Sequence, residues 1–254
     1  MNDFETKIKK ILRKKNVFKD ILIIGGGNWA KFYIKVLQNT FFKVNKIFIY
    51  SKFNKQNIKN YLTDKNSNIK LLSNTNNLEK YSKNIIIVNK YYDRIKLINF
   101  FSEKKFKLLI EKPVVEKLDQ YDLINKMLNE KKINFLVGFQ RYYALYFHYF
   151  KKRYLNENPK KIKFFWFEKN NKIIDREKYL ENILYHVTSI LFIFLKKRKI
   201  RLIKKSKNYL FFQYGNCEVK LIFLRKIKKK LKKINFYFSK SVPKAIDWTN
   251  EERI

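Results

Sequence analysis

Glycine is scarce in this chain, 5 in 254 residues, yet three of the five stand together at Gly25-Gly26-Gly27. They follow Ile21–Ile24, apolar at every position, and precede a helical pattern through Phe32, Tyr33, Val36 and Leu37. An unbroken apolar run is what a strand buried on both faces of a parallel sheet requires. A strand, a G-x-G-x-x-A turn over Gly25–Ala30 and a helix together make a phosphate-binding βα unit. Gly25 can take the tight turn, Gly27 leaves room for a pyrophosphate near the backbone, and Ala30 lets the helix pack closely on the strand. The N–H groups of the helix's first turn, Asn28 and Trp29 among them, then point at the phosphates, and the helix dipole favours their charge. Gly25, Gly27, Asn28, Trp29 and Ala30 are therefore the expected cofactor-binding residues. A glycine turn that binds nothing is the competing reading, and it leaves the clustering unexplained.

The pattern continues along the first half. Short apolar runs at Ile47–Tyr50, Ile69–Leu72, Ile85–Val88, Phe106–Ile110 and Phe135–Val137 alternate with polar or helical segments, including Asp93–Lys104 and Leu118–Lys132. Strands alternating with helices indicate βαβ units and a parallel sheet. Past Tyr143 the texture changes. Lys161–Glu168 reads as a long strand, Leu180–Leu195 as a buried helix, and Tyr209–Tyr214 with Glu218–Leu224 as a hairpin joined at Gly215-Asn216. Lys232–Ser239 reads as a third strand beside that hairpin. The expected class is α/β: a Rossmann-type doubly wound parallel sheet, then a smaller α+β domain with an open antiparallel sheet. The expected division is a basic amphipathic extension over 1–19, a dinucleotide-binding domain over 20–141, and a substrate or oligomerisation domain over 142–254.

Composition bounds the function. Apolar residues make up 46% of the chain, too many for a disordered one despite a formal charge of +38. That charge would attract any polyanion, nucleic acid first. The lysines are spread along the whole chain, however, and travel with an excess of Asn, Ile, Phe and Tyr. Compositional drift toward A+T-rich codons therefore accounts for them better than a nucleic-acid role, which stays open as a minor reading. The Arg225–Lys233 run, with seven Lys or Arg in nine residues, reads as a solvated hairpin or loop. A lone cysteine, Cys217, permits no internal disulfide and fits a reducing compartment. The longest apolar helical stretch, Ile183–Leu195, falls short of the about 20 residues a bilayer demands. With basic residues recurring through Lys7–Lys15 and no signal-peptide pattern, a soluble, cytoplasmic protein without a membrane partner is expected. No metal is expected.

The end of the second strand bears on cofactor choice. A carboxylate about 20 residues after the glycines would hold a ribose 2′-hydroxyl. Ser51-Lys52 stand there instead, with Lys55 close behind. A hydroxyl and ammonium groups suit a 2′-phosphate, so NADP(H) is favoured over NAD(H). Glu111-Lys112-Pro113 then follows the strand Phe106–Ile110, placing Lys112 where ligands bind such sheets and where a lysine can donate to a carbonyl oxygen.

The glycine turn, Glu111-Lys112-Pro113 and Gly138-Phe139-Gln140-Arg141 together resemble the Gfo/Idh/MocA oxidoreductases, in order and spacing, across about Ile21–Leu195. The resemblance implies an NAD(P)-dependent dehydrogenase or reductase acting on a small molecule such as a sugar, nucleotide sugar or cyclic imine. It implies that Glu111 and Lys112 lie by the cofactor, that Lys112 takes part in proton transfer or substrate orientation, and that Lys112–Pro113 is a cis peptide. The family's Asp-x-x-x-His pair corresponds to Asn182-Ile183-Leu184-Tyr185-His186. His186 then matches the general acid/base, a role its titration range suits. A core histidine without a catalytic role is the plainer alternative. Asn182 departs from the family, since an amide can orient a substrate but cannot stabilise an imidazolium by charge. Arg141, Asn182 and Tyr185 are the expected substrate-binding residues. The second domain is also short for the family, leaving less surface for a homo-oligomer formed through its sheet. A dinucleotide-binding sensor without catalysis is the alternative from another class, and a basic nucleic-acid binder the third.

Overall fold

A computed structural model describes residues 16–38, 42–62, 68–74, 77–90, 93–102, 106–115, 118–131, 134–155, 157–168, 175–195, 199–225 and 230–249. The chain divides into two compact units, Met1–Gly138 and Phe139–Ile254, which places Arg141 in the second.

In the first unit, strands β1 (Asn16–Ile24), β2 (Phe42–Tyr50), β3 (Ile69–Leu71), β4 (Asn84–Ile87), β5 (Lys107–Ile110) and β6 (Asn134–Val137) form one sheet in the order β3-β2-β1-β4-β5-β6. Every pairing is parallel. The helices between them are α1 (Asn28–Leu37), α2 (Lys55–Lys59), α3 (Arg94–Ser102) and α4 (Leu118–Glu130). The apolar run of β1 serves two cores at once. Ile21 and Ile23 pack with Ala30, Ile34 and Leu37 of α1 and with Ile47 and Ile49 of β2. Leu22 and Ile24 point to the other face, toward Ile85, Ile87, Ile98 and Phe101. Successive side chains of a strand alternate between faces, so only a strand covered on both sides needs apolar residues throughout. Each such side chain, fully buried, contributes about 1.5–3 kcal/mol. The strand order reverses between β1 and β4, and ligands of such sheets sit at the carboxyl ends beside that point.

The second unit holds α5 (Gln140–Tyr143), α6 (Leu145–Tyr154), β7 (Lys161–Glu168), α7 (Arg176–Leu195), β8 (Ile200–Lys205), β9 (Tyr209–Tyr214), β10 (Cys217–Arg225), β11 (Leu231–Tyr237) and β12 (Lys244–Asp247). Its sheet runs β12-β11-β7-β10-β9-β8. Strict alternation buries Ile162, Phe164 and Trp166 of β7 and Ile234 and Phe236 of β11 against apolar residues of α7 such as Val187, Ile190 and Phe194. The opposite face, with Lys163, Phe165 and Lys220, is half-buried, as a sheet covered on one side should be.

Four expectations need correction. The strand Leu231–Tyr237 lies against β7 rather than beside the hairpin, and β10 pairs with β7 in parallel, so the sheet is mixed rather than wholly antiparallel. Two strands, β8 and β12, flank it that the sequence did not announce, because β8 is exposed at every position and shows no alternation. Residues 16–19, expected in the basic helical extension, are the start of β1, while residues 1–15 lie outside the described residues. Within the basic run, Leu231–Lys233 belongs to β11 and Lys232 is buried. The hairpin itself is as expected: Tyr214 pairs with Cys217 around Gly215, whose φ of 59° is open to glycine at no steric cost. Among the described residues, no helix is long and apolar enough to cross a membrane.

Candidate active site

The glycine turn forms one wall of a cleft of about 640 Å³ at the carboxyl ends of β1, β2 and β4. That lies within the range of about 300–1,000 Å³ usual for cofactor sites. Its lining includes Gly25–Gly27, Ser51, Lys52, Phe53 and Asn54 after β2, and Asn89, Lys90, Asp93 and Lys96 after β4. The three glycines are there for different reasons. Gly25 has φ of +135°, and a Cβ on it would come within 2.8 Å of Val88 Cγ2 and 2.9 Å of the Asn89 nitrogen. A Cβ on Gly26 would lie 2.2 Å from Ser51 Oγ. A Cβ on Gly27 would meet nothing within 4 Å. Two glycines therefore let the turn pack against the protein, and the third, whose Cβ would stand in open space, lines the cleft beside them.

Gly27 is the N-cap of α1 and supplies no side-chain cap, so the first-turn N–H groups keep their donors for a ligand or water. Asn28 and Trp29 are exposed there, and Ala30 is fully buried under the helix, where a larger side chain would push helix from sheet. Ser51 is buried: its Oγ accepts the Asn54 N–H at 3.0 Å within the loop after β2, and its side chain packs close to Gly26. Asn57 supports the turn, its Nδ2 donating to Gly26 O at 2.9 Å while its Oδ1 accepts Lys31 Nζ at 2.7 Å. Lys52 is exposed, with its ammonium 5.0 Å from the Phe53 ring centroid. Asn89 Oδ1 is buried and has no hydrogen-bond partner among the described residues.

Glu111 is almost wholly buried, and its carboxylate looks inward. Oε1 accepts the Tyr33 hydroxyl at 2.6 Å, and Oε2 accepts the Lys112 N–H at 3.2 Å. Burial, and then the bond to Glu111, push the Tyr33 phenol well above its ordinary pKa. A Cβ on Gly138 would come within 2.6 Å of Glu111 Oε1, which accounts for glycine at that position. Glu111 thus ties α1 to the end of β5, and it is not among the residues lining the cleft. Lys112, half-buried, follows it, joined to Pro113 by a cis peptide. Sequence reading passed over Arg94, which is buried and whose guanidinium donates to the carbonyls of Asn89, Glu111 and Pro113. Burial lowers its pKa to about 10, against the pull of Glu111, so it stays charged at neutral pH. In a chain with 59 Lys and Arg, no sequence signal separates it from the rest.

In the second unit, Asn182, Tyr185 and His186 share helix α7, and α5, which carries Arg141, lies against it. His186 stacks on the Trp166 indole, ring centroids 5.5 Å apart and planes 11° from parallel. Trp166 Nε1 donates to Glu168 Oε1 at 2.8 Å, and the buried Lys232 ammonium lies 4.8 Å from the indole centroid. Asn182 is exposed, and its Nδ2 donates to Lys178 O at 3.0 Å. Burial, followed by the nearby Glu181, raises the Tyr185 pKa. Spacing on one helix made three of these residues legible; the aromatic and cationic support behind His186 comes from strands far apart in sequence.

No family model and no curated protein sequence matches the chain. Solved structures do. UDP-N-acetylglucosamine 3-dehydrogenase GnnA from Acidithiobacillus ferrooxidans is 11% identical, with a TM-score of 0.72 over 91% of this chain and 77% of that one. A myo-inositol dehydrogenase from Corynebacterium glutamicum is 13% identical, at a TM-score of 0.69 over 90% of this chain and 74% of that one. GenD2 from gentamicin A biosynthesis, solved with NAD, is 10% identical, at a TM-score of 0.68 over 90% and 72%. The chain has the fold of these Gfo/Idh/MocA-type dehydrogenases, the fold its glycine turn, Glu-Lys-Pro segment and Gly138–Arg141 segment resembled.

Proposed function

We propose that the chain is an NAD(P)-dependent oxidoreductase. It moves a hydride between the nicotinamide and a C=O, C–OH or C=N carbon of a small polar metabolite, and NADPH is the favoured cofactor. The observation that carries this reading is the glycine turn, with open space at Gly27, lining the cleft beside the strand-order reversal.

The residues present suit such a cofactor. Uncapped N–H groups of α1 offer donors to a pyrophosphate. Asn89 Oδ1 offers an acceptor to a ribose hydroxyl or a carboxamide. Lys52, Lys90 and Lys96 line the cleft with one carboxylate, Asp93, among its lining residues, and ammonium groups favour a 2′-phosphate. Ser51 Oγ already accepts the Asn54 N–H, so the preference rests on the lysines more than on its hydroxyl. The substrates named for GnnA and the inositol dehydrogenase support a sugar or nucleotide sugar for this chain.

When bound, the nicotinamide supplies the hydride, and the protein supplies orientation and a proton. We assign Lys112 and His186 to handling the one proton that reaches the substrate oxygen or nitrogen as the double bond is reduced, one donating it and the other orienting the group that receives it, and Arg141, Asn182 and Tyr185 to substrate binding. With an uncharged amide, Asn182, at the position where the resembled family carries an aspartate, reduction is the direction we assign.

The test is a panel of sugar, nucleotide-sugar and cyclic-imine compounds presented with NADPH to the protein and to its Lys112→Ala and His186→Ala variants. Turnover by the parent, lost in Lys112→Ala with dinucleotide binding kept, is expected. Binding without turnover across the panel would replace the enzyme with a dinucleotide sensor. Faster alcohol oxidation with NAD than reduction with NADPH would reverse the direction.

A further inference from the structure

We propose that Arg94 is a positioning residue that sets the main chain of Lys112 and couples it to the wall of the cofactor cleft. The geometry is that of a clamp. Arg94 Nε and Nη2 both donate to Asn89 O, at 2.9 and 2.5 Å, on the loop after β4. Nη1 donates to Glu111 O and to Pro113 O, the carbonyls on either side of Lys112. One planar group thus holds three carbonyls of two loops, a task that suits a guanidinium with its fixed fork of donors. A lysine ammonium, a point charge with rotatable donors, does not reproduce it.

The remaining ties of this segment leave Arg94 a distinct part. Glu111 N–H donates to Ile87 O at 2.9 Å, and the Glu111 side chain is held by Tyr33. These fix the residue before Lys112. On its far side, the Pro113 carbonyl is held by Arg94. Asn89 also lines the cleft, so the clamp links a residue expected to touch the cofactor with the one expected to move the proton. Misplacing a reacting group by about 1 Å can cost about a hundredfold in rate. The role given to Lys112 rests on the proposed function; the clamp on its backbone does not.

The experiment compares Arg94→Met, Arg94→Lys and Arg94→Ala with the parent by hydrogen exchange and mass spectrometry. NADPH affinity is measured alongside, as is turnover on whichever panel compound the parent reduces. In Arg94→Met, exchange over residues 109–115 should rise about tenfold while that of β1 and β2 stays put, because local opening reports local anchoring. NADPH affinity should stay within about threefold and kcat should fall about a hundredfold with little change in KM. Arg94→Lys should behave as Arg94→Met does, and millimolar methylguanidinium should restore protection to Arg94→Ala. Unchanged exchange over 109–115 overturns the proposal, as does a uniform rise throughout the first unit with no rescue. A parent that binds no NADPH but shows the expected exchange pattern sinks the proposed function and leaves the clamp standing.

Discussion

Replacing the three glycines one at a time by alanine should separate folding from binding. Gly25→Ala forces an L residue to φ of +135° and drives its Cβ to 2.9 Å from two main-chain atoms, Asn89 N and Val88 C. Backbone strain and overpacking each cost about 1–3 kcal/mol, so a loss of about 3 kcal/mol or more is expected. In Gly26→Ala the new Cβ collides with Ser51 Oγ, which must give up the Asn54 N–H, for about 1–3 kcal/mol. Gly27→Ala is the opposite case. Its φ is −85° and its Cβ meets nothing within 4 Å. The entropy removed from the unfolded chain, about 0.4–1 kcal/mol, offsets a poorer N-cap, and stability should stay within about 1 kcal/mol. Gly27 lines the cleft, and on the proposed function its methyl group would crowd a pyrophosphate there, at the loss of one charge-assisted hydrogen bond worth about 1.5–3 kcal/mol, or about tenfold to a hundredfold in Kd. Urea denaturation and nicotinamide-fluorescence titration measure the two quantities on the same samples. A Gly27→Ala protein that binds NADPH as the parent does, or unfolds as readily as Gly25→Ala, would refute the assignment of Gly27 to the ligand.

Lys52→Glu should weaken NADPH about tenfold or more while moving NADH less than about threefold, because only the former carries the 2′-phosphate; equal losses would remove Lys52 from cofactor choice. Phe147 is fully buried against Phe194 and Trp248 in the second unit. Phe147→Ala should cost about 3–5 kcal/mol by urea denaturation, and a cost under about 1 kcal/mol would contradict that packing. Burial, then the nearby Glu218, pushes the Cys217 thiol up from 9.0 to about 12. Its contribution to stability is full below the ordinary thiol value and is lost as pH rises from there through about 12. The native protein at pH 8 should therefore resist a thiol-directed disulfide reagent that labels it promptly in urea; prompt labelling in the native state would contradict the burial.

How much of this was legible in the chain depended on how local the physics was. The glycine turn, the two-faced strand at Ile21–Ile24 and the Gly215 hairpin all follow from constraints within a few residues, and each is found where expected. The neighbours of Leu231–Tyr237 could not be read, since an alternating strand says which face is buried but not which strand it pairs with. Ser51 stands at the spacing from the glycines that a ligand group would have and lines the cleft; that its buried Oγ also accepts the Asn54 N–H is a detail the spacing does not carry. Arg94 and Lys232 were hidden by abundance. Both are buried among exposed cations of the same type, and only tertiary contacts, to three carbonyls for one and to an indole for the other, single them out.

The central claim, that the first unit holds a nicotinamide dinucleotide on its glycine turn, is tested most directly by titrating the parent protein with NADPH and with NADH. Nicotinamide fluorescence is followed at moderate and at high salt, with duplex DNA as competitor. Saturation at one site per chain, tighter for NADPH and little displaced by DNA, is the predicted result. Absence of saturation with either dinucleotide, or a signal that salt and DNA abolish alike, would contradict the account and turn attention to the basic surface.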